Sequence, residues 1–376
     1  MMDIPFNKPY MSGKELLNIA KAHFNLRLSG DGPFTIECQS FLESMTGTRR
    51  ALLTHSCTAA LEMAALLADV GPGDEVIMPS FTFVSTANAF VLRGAKPVFI
   101  DIRSDTLNMN ESLIHEAINE RTRAIVPVHY AGVACEMDSI MQAARERSVL
   151  VIEDAAQGFG STYKGRSLGS MGDFGTLSFH ETKNVISGEG GALLVNREDR
   201  VKRAEIVREK GTDRTQFSRG EIDKYTWQDV GSSFLPGELI AAFLHAQLEK
   251  AQEITQERVR IWNMYYEALR PLEWDGRLRR PIVPDECAHN GHLFYILVRD
   301  LDSRSKTIEE LKKAGIGAVF HYVPLHDSPA GKRYCRQQGD MQVTNEISSR
   351  LIRLPIWIGM NREHVSRITD ALSASL

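Results

Sequence analysis

One lysine of this chain stands in surroundings that suit chemistry. Lys183 lies in Ser178-Phe179-His180-Glu181-Thr182-Lys183-Asn184, between an apolar run and the glycine-rich Ser187-Gly188-Glu189-Gly190-Gly191. Upstream, Glu153-Asp154-Ala155-Ala156-Gln157-Gly158 follows the most apolar run of the chain. Burial lowers the pKa of a lysine and makes its amine nucleophilic, whereas most lysines are simply solvated. A carboxylate ending a strand can cap a helix, bind a metal or pair with a protonated ring nitrogen. Together, the two groups meet the needs of pyridoxal phosphate (PLP). The amine condenses with the aldehyde, and the carboxylate keeps the pyridine protonated so that it draws electrons from a substrate carbanion.

Two further pieces fall in the same order along the chain. Thr54-His55-Ser56-Cys57-Thr58-Ala59-Ala60 joins the short strand-like Ala51-Leu52-Leu53 to a helix-like segment. Backbone N–H groups at a helix start form an anion site suited to a cofactor phosphate, while a plain helix cap by Ser56 or Thr58 fits equally well. Pro79-Ser80-Phe81-Thr82-Phe83 ends the next run and offers an aromatic face for a flat heterocycle, although lone aromatics are usually core. The succession of anion site, aromatic, carboxylate and lysine at strand ends carries more weight than any member.

The elements that must position these groups can be read from the apolar pattern. Short β-rich runs start at Val76, Val98, Ala124 and Val149, about two dozen residues apart, which leaves room for a crossover helix between parallel strands. Segments 57–70, 84–92 and 137–147 supply those helices, the first stopped by Gly71-Pro72-Gly73-Asp74. Runs 175–179 and 192–195 add strands around Lys183. The expectation is an α/β fold, a mostly parallel sheet flanked by helices, with ligands beyond the carboxyl ends of its strands. The polar segment 208–229 reads as a long functional loop, 238–269 as helix, 293–298 and 318–322 as strands, and 307–314 and 345–352 as helices. This gives a large domain over 1–245 and a small α+β domain over 246–376.

Composition narrows the function classes. With 376 residues, 43% apolar and 24% charged, the chain is long enough for two cores and has no compositional sign of disorder. A net charge of -4 argues against nucleic acid as the main partner. Five cysteines without a C-x-x-C pair indicate neither zinc nor a disulfide framework, and His321 and His326 are spaced wrongly for a metal pair. No metal is therefore expected. Met1-Met2-Asp3-Ile4-Pro5-Phe6 has no basic segment followed by an apolar run, and no stretch approaches a membrane span, so a cytoplasmic protein with no membrane partner is expected.

Over nearly its whole length, from Ile4-Pro5-Phe6-Asn7 to the C-terminal helix, the chain resembles the DegT-type sugar-nucleotide aminotransferases. The likeness is carried by the run from Gly71 through Glu75-Val76-Ile77-Met78 to Ser80, by Pro127-Val128-His129-Tyr130-Ala131-Gly132 and on to Asp138, and by Asp223-Lys224-Tyr225-Thr226-Trp227. It implies fold type I of the PLP enzymes, with Lys183 as the lysine that binds the cofactor covalently and shuttles the substrate proton. Asp154 matches the partner of the pyridine nitrogen, Gln157 the contact to the ring hydroxyl and Phe83 the stacking aromatic. Cys57, Thr58 and Ser178 match phosphate contacts, and Ser233 a phosphate contact from the neighbouring subunit of a homodimer with shared active sites. His321, Tyr322, Lys210 and Tyr225 fall in segments expected near the sugar nucleotide; a structural role competes for the histidine segment and a solvated loop for the other.

The implied reaction moves an amino group from L-glutamate to a nucleotide-linked 4-keto-6-deoxyhexose, dTDP-4-keto-6-deoxyglucose. The product is a 4-amino-4,6-dideoxy sugar such as dTDP-4-amino-4,6-dideoxygalactose, for a surface polysaccharide or antigen. Where many relatives continue Asp-Leu-Gln-Ala-Ala, this chain has Glu238-Leu239-Ile240-Ala241-Ala242, which bears on the subunit contact. Relatives with histidine in place of the lysine are dehydratases; the lysine here favours transamination. A PLP-dependent dehydratase or lyase and a non-catalytic regulatory relative stay as alternatives.

Overall fold

The computed structural model describes residues 3–376. Met1 and Met2, which begin the N-terminal segment examined for a secretory signal, lie outside the described residues. The strands in chain order are β1 (Arg50–Thr54), β2 (Glu75–Pro79), β3 (Lys96–Ile100), β4 (Thr122–Ile125), β5 (Leu150–Asp154), the short hairpin β6 (Thr162–Tyr163) and β7 (Arg166–Ser167), β8 (Phe174–Ser178) and β9 (Gly191–Val195). The C-terminal third adds β10 (Cys287–Ala288), β11 (Phe294–Leu297), β12 (Arg336–Gln337) and β13 (Leu351–Leu354). Eight of these form the main sheet, in the order β1-β9-β8-β5-β4-β2-β3-β12.

Strands β2 to β5 are parallel to their neighbours, as the crossover spacing requires. Strand β9 is antiparallel to both β1 and β8, because only a short loop separates β8 from β9. That loop carries Lys183. Apolar clusters pack on both faces of the sheet, one including Ile77, Ile125, Val151 and Leu194, the other Val76, Ala124, Ile152 and Leu193. Alternate residues of each strand thus feed opposite layers.

The C-terminal residues build a third core around the pair β11–β13. A further cluster ties this pair to the main sheet, with Phe81, Tyr130 and Tyr295 at ring distances of 5.1 and 5.8 Å along the chain of contacts. The connection also runs through the backbone: Arg336 and Gln337 extend the main sheet beside β3, and Ile4 bridges to Ile316. No helix among the described residues is long and apolar enough to cross a membrane.

The structure corrects several element boundaries. The helical stretch 238–269 is two helices, Glu238–Leu248 and Ala251–Ala268. The polar loop 208–229 carries a short helix, Arg214–Ser218. In 318–322 only Val319 pairs, as an isolated bridge to Arg353, and the rest is loop. The helix expected over 345–352 is Gln342–Arg350 and gives way to β13, where Leu351, Ile352 and Leu354 are needed to pair with β11. Tertiary pairing overrode local pattern in these places.

Glu238 shows what its departure from the family pattern does. Its carboxylate is 1% exposed and accepts N–H bonds from Phe34 and Thr35, both at 3.0 Å, and a hydroxyl bond from Thr35. Gly32, the N-cap of helix Pro33–Thr46, has no side chain to do this. Glu238 is therefore a cap supplied from another helix.

Candidate active site

Lys183 is set by the loop that joins β8 to β9. Phe179 N–H donates to Gly190 O at 2.9 Å, Ser187 N–H to Phe179 O at 2.7 Å, and Lys183 N–H to His180 O at 2.9 Å, so the loop is closed on itself. Beside it, Asn184 donates to Asn290 O at 2.8 Å and bonds His292 Nδ1 at 3.1 Å, tying the lysine segment to the C-terminal core. The side chain points into a cavity of about 610 Å³ at the carboxyl ends of β5 and β8, which also contains Asp154, Ser178, Cys57, Thr58, Phe83, Gln157, His321 and Tyr322. Burial lowers the Lys183 pKa, opposed by the neighbouring Cys57 and Asp154 and reinforced by Arg353. A lysine amine in this setting gives up its proton more easily than one in water.

Asp154 closes β5 at 5% exposure. Its Oδ2 accepts from Thr86 Oγ1 at 2.7 Å and its Oδ1 from Ala156 N–H at 3.1 Å. Thr86 is further tied to Thr82 at 2.8 Å. The strand end below is braced by the fully buried Glu153, which accepts from Gly169, Met171 and Gly172 N–H at 2.8, 2.6 and 2.6 Å and meets His129 Nε2 at 2.9 Å. His129 Nδ1 accepts from Cys135 N–H, so the proton lies on Nε2 and faces the carboxylate.

The anion site expected at the start of helix Cys57–Leu67 is present. Ser56 caps it by accepting from Ala59 N–H at 3.1 Å, which leaves the first-turn N–H groups of Cys57 and Thr58 open to the cavity. Thr58 and Ser85 hydroxyls meet at 2.8 Å beside it. Burial pushes the Cys57 thiol up to about 12, so it stays neutral there. A Cβ at Gly191 would lie 2.4 Å from Cys57 N, which shows how closely β9 passes the helix start. Gly191→Ala should force these backbones apart, cost about 1–3 kcal/mol and weaken PLP binding at least ~10-fold. Titration of the apoprotein with PLP, together with a denaturation curve, checks both; unchanged affinity counts against this phosphate position.

The remaining expected residues divide into two groups. Gln157 accepts from Ala131 N–H at 2.7 Å and donates to Tyr322 OH at 3.0 Å, and Phe83 stands 59% exposed at the N-cap of helix Val84–Val91, its ring free at the cavity mouth. His321 Nδ1 meets Tyr130 OH at 2.9 Å, and burial with the nearby Arg353 and Lys183 charges drives its pKa well down, so it is neutral at pH 7. His326, by contrast, is an anchor: its Nδ1 and N–H both bond Ser80 Oγ, at 2.7 and 3.1 Å. Ser233, Lys210 and Tyr225 are not among the residues lining this cavity within one subunit. Lys210 lines a separate hollow with Arg208 and Arg214, and Tyr225 is 49% exposed against Phe217.

Sequence reasoning passed over Arg353, His292 and Phe6, which also line the cavity. Arg353 sits in Arg350-Leu351-Ile352-Arg353-Leu354, where the one available signal was a charged residue amid an apolar run. Among the described residues no group of three or more His, Cys, Asp or Glu could hold a metal ion.

A reactive amine, a carboxylate beyond a strand end and an anion-binding helix start around one cavity fit PLP in its three parts: aldehyde, ring nitrogen and phosphate. Comparison with known proteins agrees. The profile of the family described as DegT/DnrJ/EryC1/StrS aminotransferase matches residues 12–373. The chain is 30% identical to the GDP-perosamine synthase of Caulobacter vibrioides, covering all of both chains, and 31% identical to the spore coat polysaccharide biosynthesis protein SpsC of Bacillus subtilis, covering 98% of this chain and 96% of the relative. The PLP form of Spr1654 from Streptococcus pneumoniae superposes with a TM-score of 0.87 at 28% identity, over 99% of this chain and 98% of that one. The chain belongs to the DegT/DnrJ/EryC1/StrS family of PLP-dependent aminotransferases.

Proposed function

We propose that this enzyme transfers the amino group of L-glutamate to the C4 ketone of a nucleotide-linked 4-keto-6-deoxyhexose, with dTDP-4-keto-6-deoxyglucose as substrate, for a surface polysaccharide or antigen. The observation that carries the reading is that Lys183, Asp154 and the helix start at Cys57 and Thr58 line one cavity. Sugar and polysaccharide functions of the relatives support the substrate class.

When bound, PLP supplies an aldehyde that takes up the donor nitrogen and a ring that holds the electron pair left as the α-proton departs. The Cys57 and Thr58 N–H groups and the Ser178 hydroxyl would hold the phosphate. Asp154, fixed by Thr86 and Ala156, would pair with the ring nitrogen. Lys183 Nζ, freed of its proton more easily by burial, would be the base that takes the α-proton of glutamate and, with the keto sugar, the acid that gives one back. Gln157 would contact the ring hydroxyl and Phe83 would stack on the ring, while His321 and Tyr322, on the same cavity, would border the sugar.

The resemblance supports a homodimer in which Ser233, away from the cavity of its own subunit, would reach the partner's phosphate site.

Purified holoenzyme given L-glutamate and dTDP-4-keto-6-deoxyglucose should form 2-oxoglutarate and amino sugar in equal amounts. Sugar consumption without 2-oxoglutarate would establish a dehydratase or lyase instead.

A further inference from the structure

Beneath the cavity lies an acid that touches nothing in it. Glu153 and His129 are both 0% exposed and are not among the residues lining the cavity. Glu153 falls with Val151 on one face of β5, and Asp154 with Ile152 on the other. The Glu153 carboxylate nevertheless has its acceptor sites filled: Oε2 by Gly169 N–H at 2.8 Å and His129 Nε2–H at 2.9 Å, Oε1 by the N–H groups of Met171 and Gly172, each at 2.6 Å. Among the described residues His129 is its one ion-pair contact.

His129 carries the link onward. Its Nδ1 accepts from Cys135 N–H at 3.2 Å, its backbone N–H donates to Asp154 O at 3.2 Å, and Asp154 N–H donates to Pro127 O at 2.9 Å. The segment 127–135 closed in this way holds Ala131, whose N–H fixes the Gln157 amide, and Tyr130, whose hydroxyl meets His321. On the other side, loop 169–172 leads into β8, whose end places Ser178 and then Lys183. One buried pair thus joins three segments that carry groups of the cavity. A stability role does not account for it, because apolar side chains of like volume serve a core as well as a buried charge does. What a fully bonded polar network adds is one fixed geometry.

We propose that Glu153 and His129 are positioning residues of the reaction: through the backbone of β5, their bond fixes the angle at which the Asp154 carboxylate meets the cofactor ring. The inference rests on the aminotransferase reading above and adds to it two residues that touch neither cofactor nor substrate. The sense of the bond is set, since Cys135 N–H occupies Nδ1 and leaves Nε2 to donate. A side chain without a donor at that place leaves a Glu153 oxygen short of a partner and the 127–135 segment free to shift. Asp154 must face one atom of the ring, so a small displacement of its strand end is costly to the rate.

Two substitutions divide the ring nitrogens of His129. Asparagine can accept from Cys135 N–H but has no group to reach Glu153, whereas glutamine places an amide N–H near the former Nε2. The rate per PLP-loaded site should fall about 10- to 100-fold in His129→Asn and recover most of the way in His129→Gln, with the KM for glutamate little changed. In an Asp154→Asn background, His129→Asn should cost no more than about 3-fold further, since the pair acts through that carboxylate. The visible absorbance of bound PLP, titrated with pH in the absence of substrate, should shift its midpoint upwards in His129→Asn. A ring nitrogen held less firmly in its protonated form draws less electron density from the Lys183 nitrogen. That spectrum needs neither donor nor sugar, so it decides the role of the pair even where the substrate proposed above fails. Either a full rate or an unshifted midpoint in folded, PLP-loaded His129→Asn overturns the proposal, and so does a loss of equal size with and without the Asp154 carboxylate. Should His129→Asn not fold, Glu153→Asp, which draws the same charge back by one methylene, goes through the same cycle with the same readings.

Discussion

Lys183→Ala is expected to abolish turnover, by about 10⁴-fold or more, while leaving a folded protein that still binds PLP. A large loss is expected because, in the proposed reaction, one amine would perform two tasks: carry the cofactor and move the proton. No neighbour can substitute. His321 and His292 are neutral and tied to Tyr130 and Asn184, and the Cys57 thiol is held protonated by burial. The fold should survive, because the loop is closed by backbone bonds of Phe179, Ser187 and Lys183 itself, none of which needs the side chain. The measurement is the rate of the glutamate half reaction by stopped-flow absorbance, with circular dichroism as the folding control. Partial rescue by added small amines would assign the lost function to proton transfer; a variant with wild-type rate would dismantle the active-site assignment.

Asp154→Asn should lower the rate about 10²–10³-fold with little effect on stability. Asparagine is nearly the same shape, and the local hydrogen bonds can be kept. Its carbonyl can accept from Ala156 N–H, while its amide turns to Thr86 Oγ1, whose hydroxyl then donates to Thr82. What disappears is the carboxylate proposed to pair with the pyridine nitrogen, and its loss would weaken the ring's capacity to hold the electron pair left by the departing α-proton. The expected signature is therefore a slow proton-transfer step at near-normal PLP affinity. Loss of PLP binding with a normal rate in the loaded fraction would instead make Asp154 a structural residue.

The two effects differ in kind. Removing the amine deletes a reacting group, whereas removing the charge leaves every group in place and changes the field they work in. Pairing them in a double variant should give a rate no lower than Lys183→Ala alone, because residues that act on one step are not additive.

Sequence by itself determined much of this enzyme. The spacing of Val76, Val98, Ala124 and Val149 gave parallel strands because a crossover helix needs that length of chain, and the order of Thr58, Phe83, Asp154 and Lys183 followed because Asp154 ends a strand of one sheet and the others lie just beyond strand ends. Glycine at 191 was visible, but its reason was not: β9 runs antiparallel against the helix start, and only the fold brings position 191 beside Cys57 N. Local pattern also failed where pairing partners lie far along the chain, as at Leu351 to Leu354, which form a strand only because Phe294 to Leu297 lie alongside. Arg353 was illegible for the same reason. A buried cation is recognised by the acids that fail to surround it, and that is a property of tertiary neighbours rather than of sequence neighbours. Chain order thus laid out the groups suited to the cofactor, while three-dimensional packing decided which charges stand without a partner.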